Sequence, residues 1–595
     1  MVNKFRNKKL VLSIGLTVFL ILMAIICPSK VRSQPASIRM QNPEYKVGIL
    51  GAPDETNVEW DDRNMQKMKD LGFNTMQLNI AWGYRPNDEP LNLEDVISIP
   101  GQFQLPIDID SAKTLRSSQK IEERDAKIKH RIALCKKYGF RTIFHFGAPF
   151  VGYPPVEPLS QCVSDPNTIN RYVTLIQDFH KKFPGVNDLL CYTYDQNAWL
   201  CSEFGPCPRC HGVPLHERVS KFVNILAQTW KRLEPNGIFW WEPWELSAGE
   251  VYKTIDLLDS SCVGLSIHSN IAEVQIAFPV DRWFKNVVNK AADKKIPVMG
   301  ELFMGCPTEE MEPYKHIAAP LATLRALRAI NEAGKIKGIK EYYGNVPDQE
   351  DPNLKMTGIF FHDPSIGDKE ALTKLALPYK GVEEDIQNFW KLSSEAVELY
   401  PWDVSWFARE VGKSNPDHPL TAATLKAPRI ETPSWQSSRK SAFMVTDKNQ
   451  QPNFWMIEDI QLRFEQAELK IQKALEIGAD IKNKIPIEFR SEFNENMVEL
   501  TGLRKRVLAY VYHLRETNLA NLLRSSKENK LPVNQNNVEE LKSLLIKDQE
   551  NQNSKEPLAI AIKLLEEDLD KFLNTYFLVP DSRKNKVKVW SITSQ

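Results

Sequence analysis

Acidic residues stand at the ends of several short apolar or aromatic runs in this chain. Asp195 falls in Tyr192-Thr193-Tyr194-Asp195-Gln196-Asn197-Ala198-Trp199 and Glu242 in Trp240-Trp241-Glu242-Pro243-Trp244-Glu245. Glu301 follows Val298-Met299-Gly300, and Glu341 opens Glu341-Tyr342-Tyr343-Gly344. Two carboxyl groups across one acetal bond can divide its cleavage. One protonates the leaving oxygen and the other attacks the carbon or activates water. Flat rings beside them suit the apolar face of a pyranose, which stacks on an indole or phenol. Trp82, Tyr194, Trp199, Trp241, Trp244 and Tyr342 are the rings so placed, and Asn79, His145, His268 and Glu341 are the polar side chains expected to meet a sugar. Asp195, Glu242 and Glu301 are the catalytic candidates. Each has a structural alternative: Asp195 as the cap of a loop, Glu301 as partner of a buried Arg or Lys, Glu242 as acceptor from a sugar hydroxyl, and the two histidines as satisfied core residues.

Bringing acids so distant in sequence to one rim is the work of a barrel. From Tyr45 to about residue 345, β-branched or aromatic runs alternate with longer amphipathic ones, the rhythm of parallel strands joined by helical crossovers. The strands expected are Lys46–Gly51, Thr75–Trp82, Arg141–Phe146, Asp188–Tyr194, Gly237–Trp241, Cys262–His268, Pro297–Leu302 and Gly338–Tyr343. Helices are expected at Asp61–Leu71, Ile121–Tyr138, Asn167–Phe183, His216–Leu233, Asp281–Lys294 and Leu321–Ala333. Eight such strands close into an α/β fold of the (β/α)8 TIM barrel type, whose working groups come from the C-terminal ends of its strands. A doubly wound sheet is the competitor, but neither GxGxxG nor a Walker sequence is present to receive a phosphate.

On these residues the chain resembles the TIM-barrel glycoside hydrolases that place an acid/base after strand four and a nucleophilic Glu after strand seven. Val298-Met299-Gly300-Glu301 matches the second pattern. The first is met in part, since Asp195-Gln196 stands where those enzymes carry Asn-Glu. The strand-four region is also similar to that of barrel hexosaminidases, with Gln196 replacing the second acid of their Asp-Glu pair. The resemblance covers about 300 residues. It implies hydrolysis of an oligo- or polysaccharide with Glu301 as nucleophile or base and either Asp195 or Glu242 as acid. Two rival readings remain: a carbohydrate-binding barrel without catalysis, and a metal-dependent barrel hydrolase. The latter would need His-x-His after strand one or HExxH, and neither is present. No cofactor and no catalytic metal are expected.

Lys4, Arg6, Lys8 and Lys9 precede an apolar run from Leu10 to Cys27, the pattern of an export signal, here expected at 1–33 with cleavage after Ser33. The protein is therefore expected to be periplasmic or extracellular, and its sole expected membrane contact is this segment left uncleaved. The barrel is expected over 44–380 and an all-α helical C-terminal domain over 381–595. Ile457, Ile460, Phe464, Ala467, Ile471, Ala474 and Leu475 draw one helical stripe there, and a Pro-rich connection lies around 415–435. A stretch at 526–554 rich in Asn and Lys reads as a solvated loop or exposed helix. Cys201, Cys207 and Cys210 crowd one loop with His211; a disulfide or structural staple is expected, with a zinc ion as the alternative. A formal net charge of +0 over 595 residues offers no basic stripe, so nucleic acid is excluded as a partner.

Overall fold

The computed structural model describes residues 42–51, 58–80, 89–90, 92–98, 118–149, 161–193, 201, 203–243, 246, 248–269, 280–305, 314, 317–400, 454–552 and 557–576. The expected export segment and the connection around 415–435 lie outside these residues. Among the described residues no helix is long and apolar enough to cross a membrane.

Eight parallel strands close a barrel in sequence order: β1 Tyr45–Ile49, β2 Thr75–Gln77, β3 Arg141–Gly147, β4 Asp188–Tyr192, β5 Phe239–Glu242, β6 Val263–His268, β7 Val298–Leu302 and β8 Gly338–Glu341. β1 pairs with β8 through Tyr45 opposite Gly338 and Val47 opposite Lys340, which completes the ring. All eight expected strands form, with ends shifted by a few residues, as do the six expected helices. Short helices at Ala248–Ile255, Pro352–His362 and Asp368–Ala376 add to those expected.

Local chemistry sets several of these boundaries. Asp61, Asp165 and Asp281 accept from the first-turn amides of the helices they precede, through Asn64 N, Asn167 N and Phe284 N. The helix Ser118–Tyr138 closes on Gly139 at φ 76°, where Phe140 N donates to Cys135 O at 2.8 Å, and β3 starts at the next residue. That six-to-one bond needs a left-handed residue, which glycine supplies without a Cβ clash.

Alternation along the strands separates two packing zones. Inside the barrel, Val47, Ile143, Leu190, Trp240 and Met299 form an apolar middle with Tyr45 below them. Outside, Cys191, Trp241 and Leu265 point toward the surrounding helices and join the main core. That core continues without a break through Phe389 and Trp390 into Phe464, Ala467, Ile471 and Ala474, the stripe read from the sequence, on the helix Phe454–Ile481. The C-terminal region is helical as expected. A second, smaller core gathers Leu519, Leu523, Leu541, Leu545, Leu565 and Phe572. The Asn-rich stretch is thus largely the helix Gln535–Gln552, with Leu541 and Leu545 buried.

Candidate active site

The barrel interior is layered. At its N-terminal end Arg141 makes two 2.6 Å bonds to Asp188, which also accepts from Ile238 N at 2.7 Å. The apolar middle follows. Above it, one polar layer collects the side chains that alternate in phase with that middle: His145 from β3, Glu242 from β5, Ser266 from β6, Glu301 from β7 and Lys340 from β8.

The distances define one cluster. Lys340 Nζ lies 3.4 Å from a Glu301 oxygen and 3.8 Å from a Glu242 oxygen. His145 Nε2 is 3.6 Å from the same Glu242 oxygen, and Ser266 Oγ donates to Glu301 Oε1 at 2.5 Å. Glu242 is 2 % exposed, and Glu301 and Lys340 are fully buried. Burial disfavours the charged carboxylate, and the charge of Glu242 adds to it, so the Glu301 carboxyl rises to about 7 against the pull of Lys340 and Ser266. Glu242 is also raised by burial, opposed chiefly by Lys340. Lys340 stays charged because the carboxylates outweigh its own desolvation. Two carboxyls facing one ammonium out of water therefore behave as a unit with a proton to share.

Of the expected site residues, Glu242, Glu301 and His145 meet in this cluster. His268 stands beside Glu301 in register, edge-on to Trp283 at 5.3 Å, and burial takes its pKa down to about 3. Tyr342 is buried against Phe303 with its ring 5.6 Å from Lys340 Nζ. Three expected substrate contacts take other roles. Trp241 is fully buried on the outer face of β5 and donates to Thr193 Oγ1 at 2.7 Å, so neither ring face is open to a sugar. Asn79 bridges β2 to β3: its amide donates to His145 O and Pro90 O, and its oxygen accepts from His145 N. Glu341 accepts from Met304 N, Tyr343 N, Gly344 N and Asn345 Nδ2, which ties β8 to the chain after β7. Each is expected at the rim, but strand alternation or local hydrogen bonding turns it to the scaffold. Asp195, Trp82, Tyr194, Trp199 and Trp244 lie outside the described residues.

Sequence reading overlooks Lys340 and Ser266. The signal is there: Lys340 is two residues beyond Gly338 and Ser266 two before His268, so each shares the inward face of its strand.

The expected disulfide among Cys201, Cys207 and Cys210 is corrected by the structure, in which no bond joins these three sulfurs. They instead converge with that of Cys162, and His211 turns its Nδ1 to Gly205 O.

No family model and no curated protein matches the chain. Solved structures do. A GH138 enzyme targeting pectin rhamnogalacturonan II superposes with a TM-score of 0.55 at 11% identity, over 89% of this chain. This chain spans 63% of that structure's length. A mutant O-GlcNAc hydrolase of Thermobaculum terrenum gives 0.40 at 10% identity over 89% of this chain and 97% of that one. The structure CpGH84B gives 0.41 at 9% identity over 88% of this chain and 77% of that one. The molecule has a (β/α)8 barrel fold, shared with that GH138 enzyme, and carries helices C-terminal to the barrel.

Proposed function

We propose that the protein is a glycoside hydrolase in which Glu242 and Glu301 are the working carboxyls. The observation that carries this reading is their convergence, from β5 and β7, on the single ammonium of Lys340 at the C-terminal end of the barrel. Of the two, Glu301 holds the shared proton, being raised by burial and by its partner's charge; Lys340 lies near both, at 3.4 Å from Glu301 and 3.8 Å from Glu242, and His145 stands beside Glu242. This exchanges the roles that the sequence resemblance implied: in the first step Glu301 gives its proton to the glycosidic oxygen as the C–O bond breaks, and Glu242, rather than Glu301, forms a bond to the anomeric carbon. In the second, Glu301 takes a proton from water, the oxygen attacks that carbon, and Glu242 leaves as carboxylate. His268, held neutral, and Tyr342 flank this pair as candidate substrate contacts.

The test is a panel of chromogenic glycosides and polysaccharide fragments, pectin fragments among them because a neighbour of the same fold targets that polymer. Glu301→Gln and Glu242→Gln should each cut turnover at least about a thousandfold, in the range of losing an essential acid or nucleophile. Proton NMR of the first-formed sugar should give the anomer of the substrate. A Glu301→Gln protein that hydrolyses its glycoside at the parent rate removes the assignment.

A second reading, sugar binding without turnover, is favoured by the depth at which both carboxyls are sealed against Lys340. It predicts calorimetric binding with no reducing sugar released, and binding that survives both Gln substitutions. Export is proposed on the basic and apolar N-terminal segment; cell fractionation should find the protein outside the cytoplasm with a mature start at Gln34.

A further inference from the structure

Four cysteines from two separate stretches of chain bring their sulfurs to one point. Cys162 lies between β3 and the helix Pro166–Lys182, while Cys201, Cys207 and Cys210 lie between β4 and the helix Leu215–Leu233. All four Sγ atoms fall within 4.8 Å of one another, with Cys162 and Cys210 at 3.1 Å and Cys162 and Cys207 at 4.0 Å. All four side chains are buried. A tetrahedron of sulfurs bonded to zinc at about 2.3 Å has edges of about 3.8 Å, the scale seen here. A disulfide requires about 2.05 Å between its two sulfurs, shorter than either of these separations.

The surroundings are built for such a group. In Cys207-Pro208-Arg209-Cys210, the amides of Cys210 and His211 both donate to Cys207 O, at 3.1 and 2.9 Å, a tight turn that carries two sulfurs on one loop. Ser164 N donates to Cys162 Sγ at 3.4 Å, and Cys210 Sγ lies 3.6 Å from Ser164 Oγ, contacts that orient ligating sulfurs from the next shell outward. Arg218 clamps the second loop through Cys201 O at 2.8 Å and Val213 O at 3.0 Å. Arg209 reaches Asp165, the cap of the helix that follows Cys162, at 3.1 Å, so the two loops are crosslinked beside the sulfurs.

We propose that Cys162, Cys201, Cys207 and Cys210 form a structural tetrathiolate zinc site that pins the loops after β3 and β4 to each other. Binding replaces four S–H bonds by four Zn–S bonds and releases four protons to solvent. With four protein ligands the ion has no open position, so its role is to hold the loops. The site is independent of the proposed hydrolysis.

The test uses the full chain purified without chelator or added zinc. Elemental analysis should give one zinc per chain. The four cysteines should resist alkylation until acid or a strong chelator releases the metal. Cobalt(II) exchanged into the site should give the strong visible absorption of a tetrahedral tetrathiolate. Cys162→Ser and Cys210→Ser should lose the metal, while Cys262→Ser keeps it. Folded wild-type protein without zinc, or with iron in its place, overturns the proposal, as does a Cys162–Cys210 disulfide recovered from a non-reducing digest. These readings come from unsubstituted protein and hold even where a serine variant fails to fold.

Discussion

At the polar layer of the barrel, two carboxyls and one ammonium are withdrawn from water together. Removing the ammonium leaves the carboxyls uncompensated, and breaking a buried pair this way costs about 3–5 kcal/mol. Lys340→Met should therefore destabilise by that amount in urea titration and, through the lost attraction, move the acid limb of kcat/KM to higher pH. A Met variant as stable as the parent would show that the ammonium is not what holds the two acids in place. The same layer gives the molecule a pH dependence. Glu301 has an ordinary value of 4.5 and a folded value of about 7. The fold thus binds a proton that the unfolded chain has already released, and its stabilising contribution is full below 4.5 and is lost as pH rises toward 7. We expect Glu301 to contribute ~1–3 kcal/mol to the fall of unfolding free energy across that window, and Glu301→Gln to shrink the fall by that share. Glu341, raised by burial to about 7, keeps the remainder. Denaturant midpoints measured on either side of the window decide it; a Gln variant with the parent's slope would assign the dependence elsewhere. Glu242 and Glu301 are legible in the sequence because acids close otherwise apolar strands. Trp241 and Glu341 mislead because each lies one residue out of phase with the inward face, and Asn79 because its amide is consumed by backbone that no sequence pattern reveals.

At the scale of strands and turns, sequence carries most of what the fold needs, since periodicity and Gly or Asp punctuation are local properties. What it does not carry is close approach between strands far apart in the chain. Gly338 on β8 faces Tyr45 on β1 at the closure of the barrel, and a Cβ there would sit 2.4 Å from Tyr45 Cβ and 2.7 Å from Tyr45 O. One of those atoms is backbone, so the strands themselves must part. Gly139 is the contrast: it needs its positive φ, but a Cβ there meets nothing within 4 Å. Gly338→Ala should cost about 1–3 kcal/mol or more through overpacking at a paired strand. Gly139→Ala should cost about 1–2 kcal/mol through backbone strain alone. Parallel thermal and urea melts rank the two, and a milder loss at Gly338 than at Gly139 would mean the β1–β8 seam yields easily.

Over the whole molecule, the C-terminal helices are packed into the barrel's own core. Tyr379 stacks on Phe489 at 4.5 Å and meets Trp390 edge-on at 5.1 Å; Phe389 packs on Phe493 and Tyr400 on Phe464. The helix Arg490–Glu528 also reaches Tyr314, between β7 and the helix Pro320–Glu332, where Arg506 lies 4.6 Å over its ring and Gly502 leaves room for it. Helical stripes in the sequence announce helices, but one apolar stripe looks the same whether it covers a barrel or another helix, so this continuity is not readable in advance. The two cores make different demands on truncation. A chain ending at Tyr400 loses the cover over Phe389, Trp390 and Tyr379 and exposes a contiguous aromatic patch, a surface that aggregates in water. A chain ending at Glu528 loses the helices that surround Leu541, Leu545 and Phe572, and strips Leu519 and Leu523 of their cover, but leaves the barrel's core intact. The shorter chain should therefore be insoluble, and the longer one should stay soluble with its barrel melting near the parent temperature. If the chain ending at Tyr400 instead melts cooperatively at the parent temperature, the helices beyond it lie on a barrel that is complete without them, and the unbroken core is geometric contact without energetic coupling.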